Sequence, residues 1–246
     1  MSQVRQDPWR LQVHEVVAST SDLCRARAAE GEPEGLAVLA RRQSRGRGSR
    51  GRDWESPEGN LSLSVLLRPQ EKARDAAQWS LLAGVALAEA LAPYLPDPSA
   101  LRLKWPNDVL LGDGKLAGIL VDSVATPDGA LDWVVIGIGV NLAVAPDVPG
   151  RAVACLADVA APPAPEDFAA GLLERLRHWR EVRGQQGFAR VRAAWLQRAP
   201  ADGSHVTLMV GERMIGGGFA GLADDGSLLL DTEGRVRAFA TGEVLL

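Results

Sequence analysis

The sequence predicts an α+β protein: a sheet with flanking helices over residues 1–200, then a small β unit over 201–246. Three observations predict it. Strand-length segments, apolar or alternating, recur through residues 11–142. Two long stretches of helical character lie at 75–91 and 166–197. After Ala199-Pro-Ala-Asp-Gly203 the chain changes to short strands separated by glycine-rich turns.

Taken in order, residues 11–17 alternate weakly and run into Ser19-Thr20-Ser21-Asp22, the residue types that cap a helix by accepting from its free N–H groups. The pattern reads strand, cap, helix. Residues 36–40 form a short apolar strand, and Leu61-Ser-Leu-Ser-Val-Leu-Leu alternates as a half-buried strand should. Residues 75–91, rich in Ala and Leu without internal proline, are the clearest helix. Strands follow at 101–105, 116–124 and 132–142, the last two joined through Pro127-Asp-Gly129. A proline-rich stretch at 160–165 opens the second helical region. Strands at 205–210, 213–219, 227–231 and 236–240, with Asp225-Gly226 as a hairpin turn, form a meander of barrel size with too little core for a catalytic body.

With 46% hydrophobic and 24% charged residues in 246, composition excludes disorder, collagen and a membrane protein. No secretory signal is readable, and no apolar run reaches the roughly 20 residues that span a bilayer. Cys24 and Cys155 stand alone, without histidine or a second cysteine at metal-ligand spacing, so a reduced, cytoplasmic protein is expected. The net charge of −4 hides an asymmetry. Six arginines and no acid lie between Arg41 and Arg52, leaving −10 on the other 234 residues. Such a chain suits one small anion better than DNA, which rewards a broad basic face.

That segment, Gln43-Ser-Arg-Gly-Arg-Gly-Ser-Arg-Gly-Arg-Asp-Trp54, matches a dinucleotide fingerprint literally at Gly46, Gly48 and Gly51. Pro57 and Gly59 follow, however, where the motif requires a helix. It reads instead as a loop whose glycines allow close backbone approach and whose arginines meet phosphate or carboxylate, closed by a tryptophan that covers something. Lys104-Trp-Pro-Asn-Asp108 ends a strand in a lysine, an amide and a carboxylate. Gly114-Lys-Leu-Ala-Gly-Ile-Leu120 puts a lysine at a strand start and is not a P-loop, because Val109 and Leu116 stand where glycine and Ser/Thr are needed. Gly137-Ile-Gly-Val-Asn141 ends an apolar strand in an amide, and its glycines read by themselves as sheet packing.

Together, in this order, these motifs resemble the biotin protein ligase family, with residues 15–200 as catalytic domain and the terminal meander as its SH3-like barrel. The resemblance implies a mixed, largely antiparallel sheet of the biotin/lipoate ligase type, related to class II synthetases. Only eighteen residues precede the Ser-Thr motif, so the short form without a DNA-binding domain is expected. The implied reaction joins biotin to ATP as biotinyl-5′-adenylate, then transfers biotin to a lysine of a biotin carboxyl carrier protein, such as the acetyl-CoA carboxylase subunit. No membrane or DNA partner is implied, and the oligomeric state stays open, a homodimer included.

By similarity, Ser19, Thr20, Ser21 and Gln43 face the ureido ring, with Gly46, Arg47, Gly48 and Ser49 contributing from the loop and Gly118 lining the strand beneath biotin. Lys115 meets carboxylate and phosphoryl oxygens as the main electrostatic catalyst, with Arg47 reaching the same atoms. Trp54 stacks on adenine, Lys104 and Asn107 lie on the nucleotide side, and Asn141 meets adenine or metal. Asp108, with Mg²⁺ accompanying ATP, organises the phosphates, and taking a proton from the incoming lysine is its alternative role. One position departs from the pattern: Ser49 stands where the family carries a second arginine, with Arg50 after it. Either Arg50 assumes the task of ordering the loop, or the adenylate is held less tightly. The rival readings are a lipoate or octanoate ligase of the same fold and an inactive biotin-binding module.

Overall fold

A computed structural model describes residues 9–245. Seven strands form the first sheet in the order β1-β2-β3-β7-β6-β5-β4. β1 (Arg10–Val17) and β2 (Leu36–Gln43) are parallel, joined through α1 (Thr20–Ala29). β3 (Leu61–Leu67), β7 (Leu131–Val140), β6 (Gly114–Ala125), β5 (Asp108–Leu111) and β4 (Leu101–Lys104) follow antiparallel, so the sheet is mixed and largely antiparallel. Ser19 caps α1, its side chain accepting from Asp22 N, as the Ser-Thr-Ser-Asp run predicts.

α2 (Gln78–Leu91) begins three residues later than expected and is buried almost all round, because it lies between the sheet and two later helices. The second helical region divides into α3 (Pro165–Gln186) and α4 (Phe188–Leu196) at Gly187, whose φ of 75° only glycine adopts readily. Trp79, Phe168 and Trp195 are each no more than 2% exposed at the centre of this layer. Arg183, itself buried, ties α3 to the β3–α2 connection through a two-bond pair with Glu71 (3.0 and 2.6 Å) and stacks 4.8 Å from the Trp79 ring.

The C-terminal sheet runs β11-β10-β9-β8-β12, all antiparallel: β8 (His205–Val210), β9 (Arg213–Leu222), β10 (Leu228–Thr232), β11 (Arg235–Phe239) and β12 (Glu243–Leu245). It docks on the larger layer where Trp105 Nε1 donates to Gly226 O at 3.0 Å and Gly226 nestles against Leu81 and Phe188. Two short strands, β5 and β12, are additions to the expected set. Among the described residues no helix is long and apolar enough to cross a membrane.

One expectation fails instructively. The alternation in β3 predicts a half-buried strand, yet all seven of its residues are buried. The serine face that solvent should have covered is covered by α1: Ser64 Oγ bonds to Thr20 Oγ1 at 2.8 Å and Ser21 Oγ at 3.0 Å. Small hydroxyls let the helix N-terminus sit close on the sheet while satisfying one another.

Candidate active site

The motif residues converge on one face of the first sheet. Gln43, at the end of β2, reaches back to the helix start: its Oε1 accepts from Thr20 N (2.8 Å) and Thr20 Oγ1 (3.1 Å), and its Nε2 donates to Ser56 Oγ (2.8 Å). A polar corner of Thr20, Ser21, Gln43 and Ser64 is thus held together by its own hydrogen bonds.

The arginine segment folds as a tight hairpin rather than a loose basic loop. Trp54 N donates to Gly46 O, Gly48 N donates to Arg52 O, and Arg47 bridges Asp53 around a turn at Ser49–Gly51. Gly46 is required by space, since a Cβ there would lie 2.3 Å from Trp54 O. The hairpin folds Trp54 back onto the sheet, where a Cβ at Gly139 would lie 2.3 Å from the indole and one at Gly118 3.1 Å. Gly137 makes room likewise for Ser21 Oγ, 2.3 Å from its would-be Cβ. The Gly-Ile-Gly spacing, which reads by itself as packing, is therefore the floor of the site: Gly118 pairs with Gly139 across β6 and β7. With the indole lying on it, the cavity enclosed by Thr20, Gln43, Lys115 and Gly137 is only about 40 Å³. A larger cavity of about 330 Å³ opens beside Trp54, lined by Lys115, Asn141 and residues 146–151.

Lys115 reaches this floor because β5 and β6 shift register between Val109 and Leu110, an irregularity of the kind that re-aims a side chain. Its Nζ lies 2.6 Å from Asp108 Oδ1 and 5.6 Å from the Trp54 ring centroid. Asp108 Oδ2 takes Lys104 Nζ at 3.1 Å, so one carboxylate holds two ammonium groups. The Lys-Trp-Pro-Asn-Asp segment that arranges this is a β4–β5 hairpin with a cis Trp105-Pro106 bond, not merely a strand end. Asn107 fastens the hairpin to β6, its Nδ2 donating to Ile119 O at 2.8 Å. Asn141 is 1% exposed, donates to Lys115 O and Ala154 O, and leaves Oδ1 unpartnered.

One placement differs from what similarity implies. The Arg47 guanidinium lies on Asp22 (2.9 Å) and Asp122 (3.0 Å) at the rim of the small cavity. Burial alone pushes its pKa down, but the hydrogen bond and charge of Asp122, with Asp22 beside it, hold it above its usual value. Arg50, φ 60°, pairs with Glu243 of β12, which also takes Arg52 at 2.8 Å and Arg151 at 3.5 Å. Burial pushes Glu243 upward, yet Arg52, Arg50 and Arg151 together keep its pKa below the usual carboxylate range. Ser49 stays within the turn, its Oγ accepting from Arg52 Nη2 at 3.2 Å. Elsewhere, Arg41 pairs with Glu166 and Glu15, Cys24 is buried with its thiol pushed up to about 12, and Cys155 is free and buried.

Sequence reasoning missed Glu243, Asp122 and Asn60. The last ties the start of β3 to the end of β7 by accepting from Ala143 N and Val144 N. Glu243 and Asp122 are ordinary acids in ordinary strands, and only the fold brings them to the arginines. For the metal expectation the fit is poor: both Asp108 oxygens lie in ion pairs with lysines, although Oδ1 makes no hydrogen bond, Asn141 offers one neutral oxygen, and no group of three His, Cys, Asp or Glu among the described residues could hold an ion.

This geometry has relatives. A family model for biotin/lipoate A/B protein ligases matches residues 13–141. Over 199 residues the chain is 42% identical to a biotin–acetyl-CoA-carboxylase ligase of Paracoccus denitrificans, covering 78% of this chain and 82% of that one. Over 216 residues it is 35% identical to the bifunctional ligase/repressor BirA of Escherichia coli, covering 86% of this chain and 66% of that one. Among solved structures, the Aquifex aeolicus biotin protein ligase in complex with biotin and ATP matches with a TM-score of 0.81 at 28% identity, covering 96% of this chain and 97% of that one. The family match covers more than half the chain and runs through every strand that builds the floor: this chain belongs to the biotin/lipoate A/B protein ligase family.

Proposed function

We propose that the chain is an ATP-dependent biotin protein ligase, which forms biotinyl-5′-adenylate and then biotinylates a lysine of a biotin carboxyl carrier protein. The observation that carries this reading is the glycine floor under Trp54 with Lys115 at its edge and a preformed polar corner at its end. Such a slot suits an acid with a flat, hydrogen-bonding head and an apolar tail. A neutral ureido group is buried cheaply only where each donor and acceptor finds a partner, and Ser19, Thr20, Ser21 and Gln43 offer them. A dithiolane ring has no use for that corner, which favours biotin over lipoate.

In the first step a biotin carboxylate oxygen attacks the α-phosphorus of ATP, the bond to the bridging oxygen breaks, and pyrophosphate leaves. The difficulty is bringing an anion onto a polyanion, and preorganised cations meet it by stabilising charge where it develops. Lys115 is the group for the attacking and transferring oxygens, and Lys104 is a further cation on the nucleotide side. Asp108 holds both ammonium groups at about 3 Å, fixing them before substrate arrives. Since both its oxygens are so engaged, we assign Asp108 to positioning the lysines rather than to taking the proton of the incoming amine. Arg47 joins the site when it leaves Asp22 and Asp122 for the more concentrated charge of the ligand.

Biotin lying on Gly118 and Gly139 requires the indole to leave that floor. Trp54 is then free to stack on adenine over the larger cavity, where the unpartnered Asn141 Oδ1 meets an exocyclic amine rather than a metal. Mg²⁺ accompanying ATP would be held by the nucleotide phosphates and would offset part of their charge. In the second step the carrier's lysine, as the neutral amine, attacks the acyl carbon, the bond from that carbon to the phosphate oxygen breaks, AMP leaves with that oxygen, and the amine's proton passes to solvent. We read residues 1–200 as the catalytic unit, with the C-terminal sheet supporting its loop through Glu243, and place the protein in the cytoplasm, consistent with two free thiols.

Incubation with biotin, ATP, Mg²⁺ and a purified biotin carboxyl carrier domain should add one biotinyl group to a single lysine, read by mass spectrometry. A carrier that gains lipoyl but not biotinyl groups would sink this reading in favour of the lipoate ligase alternative.

A further inference from the structure

The polar corner accounts for Ser64 but not for its neighbour on the same face of β3. Ser62 is 2% exposed, lines the small cavity, and its Oγ has no hydrogen-bond partner. A buried hydroxyl left unmatched costs free energy, so one that a fold retains at a cavity wall asks for a partner from outside. Its position in the sheet says which part of a ligand would supply it. Ser64 pairs with Gly137 and bonds to Thr20 and Ser21, which marks the row of the ureido end. Ser62 pairs with Gly139, which pairs with Gly118, and Lys115 Nζ would lie 3.2 Å from a Cβ there. Ser62 therefore stands two residues, about 7 Å, along the strand from the ureido row. It shares a cross-strand row with the lysine that meets the carboxylate, but sits at the opposite side of that row.

A bicyclic acid running diagonally from the polar corner to Lys115 passes its far ring edge over Ser62. We infer that Ser62 is a further specificity-determining residue, whose hydroxyl donates to the thioether sulfur of the bicycle. The inference rests on the biotin ligase reading and adds to it the side of the ring that the enzyme reads by something other than the ureido group. Thioether sulfur is a weak acceptor, so the contact is modest in strength and selective in chemistry.

The test uses the full chain and titration calorimetry with two acids: biotin, and dethiobiotin, which keeps the ureido group and lacks the sulfur. Ser62→Ala should weaken biotin about threefold, the effect of one weak hydrogen bond, and leave dethiobiotin unchanged within error. An equal loss with both acids would overturn the assignment to sulfur, and no loss with either would overturn any ligand contact by Ser62. Ser62→Cys, which keeps the volume and a weak donor, should fall between wild type and Ser62→Ala. Its matching Ser62→Ala in both affinity and selectivity would also count against the proposal. Failure of the underlying reading would look different, since the wild-type chain would then bind neither acid.

Discussion

Replacing Glu243 by Gln should make the protein release its adenylate about tenfold faster while leaving biotin affinity within twofold. The perturbation keeps the side chain's shape and one acceptor oxygen but removes the charge that gathers Arg50, Arg52 and Arg151 onto β12. A hydrogen bond to a charged group contributes about 1.5–3 kcal/mol when sheltered. The arginine side chains are 43% and 36% exposed, however, and solvent screening reduces such pairs sharply. Sharing one 14% exposed carboxylate among three cations keeps the net near 1.5 kcal/mol, about one decade in rate. The residues proposed to hold biotin's ureido end, Thr20, Ser21 and Gln43, bond to one another and to Ser64 and Ser56, with no bond to Glu243. The assay is the decay of preformed labelled adenylate on dilution into unlabelled biotin and ATP. Its pH dependence carries a sign: a carboxylate held below its usual range contributes above that range and loses its contribution only as pH falls through the depressed value. Wild-type release should therefore be flat near neutrality and quicken only in acid, whereas the variant shows no acid quickening. Unchanged release at neutral pH, or equal acid sensitivity in both proteins, would refute the view that β12 latches the arginine hairpin.

Lys115→Ala should cost on the order of 3 kcal/mol in adenylate formation, the loss of one preorganised charge-stabilising group, with little change in melting temperature; a near-wild-type single-turnover rate would contradict its role. Gly139→Ala puts a methyl where the indole and then the ligand must lie, so biotin binding by calorimetry should weaken at least a hundredfold, about 2.7 kcal/mol, while far-UV dichroism stays native. Arg183→Met strips the partner from Glu71 and the cation from over Trp79; removing one member of such a sheltered pair costs about 3 kcal/mol, which for a chain of this size lowers Tm by roughly 6–12 °C, without changing the biotin affinity of the folded protein.

What was legible in the sequence was whatever depends on neighbours along the chain. Ser19 caps α1 because a hydroxyl before a helix can do little else so well, and the Asp225-Gly226 turn lies between β9 and β10 as expected. Strand β5 escaped notice because it has four residues and is defined by its partners, and β12 because three residues carry no period. The serines of β3 looked like a solvent face, since alternation reports only that two faces differ, not which element covers the polar one. Lys115, Trp54, Gly118 and Asp108 were all marked by motif and are all brought together. Their roles depend on contacts no motif contains: Asp122 reaches Arg47 across 75 positions and Glu243 reaches Arg52 across 191. Four of the six arginines likewise divide by fold, Arg41 pairing with Glu166 of α3, Arg47 with Asp122 at the rim, and Arg50 and Arg52 with Glu243 of the terminal strand.

Exchange of labelled pyrophosphate into ATP, with and without biotin, tests the central claim most directly, because it requires the acid, the nucleotide and Lys115 to meet on the glycine floor. The account predicts exchange that depends on biotin, is not supported by lipoate, and falls a hundredfold or more in Lys115→Ala. Exchange with lipoate but not biotin, or none with either in the intact protein, would contradict it.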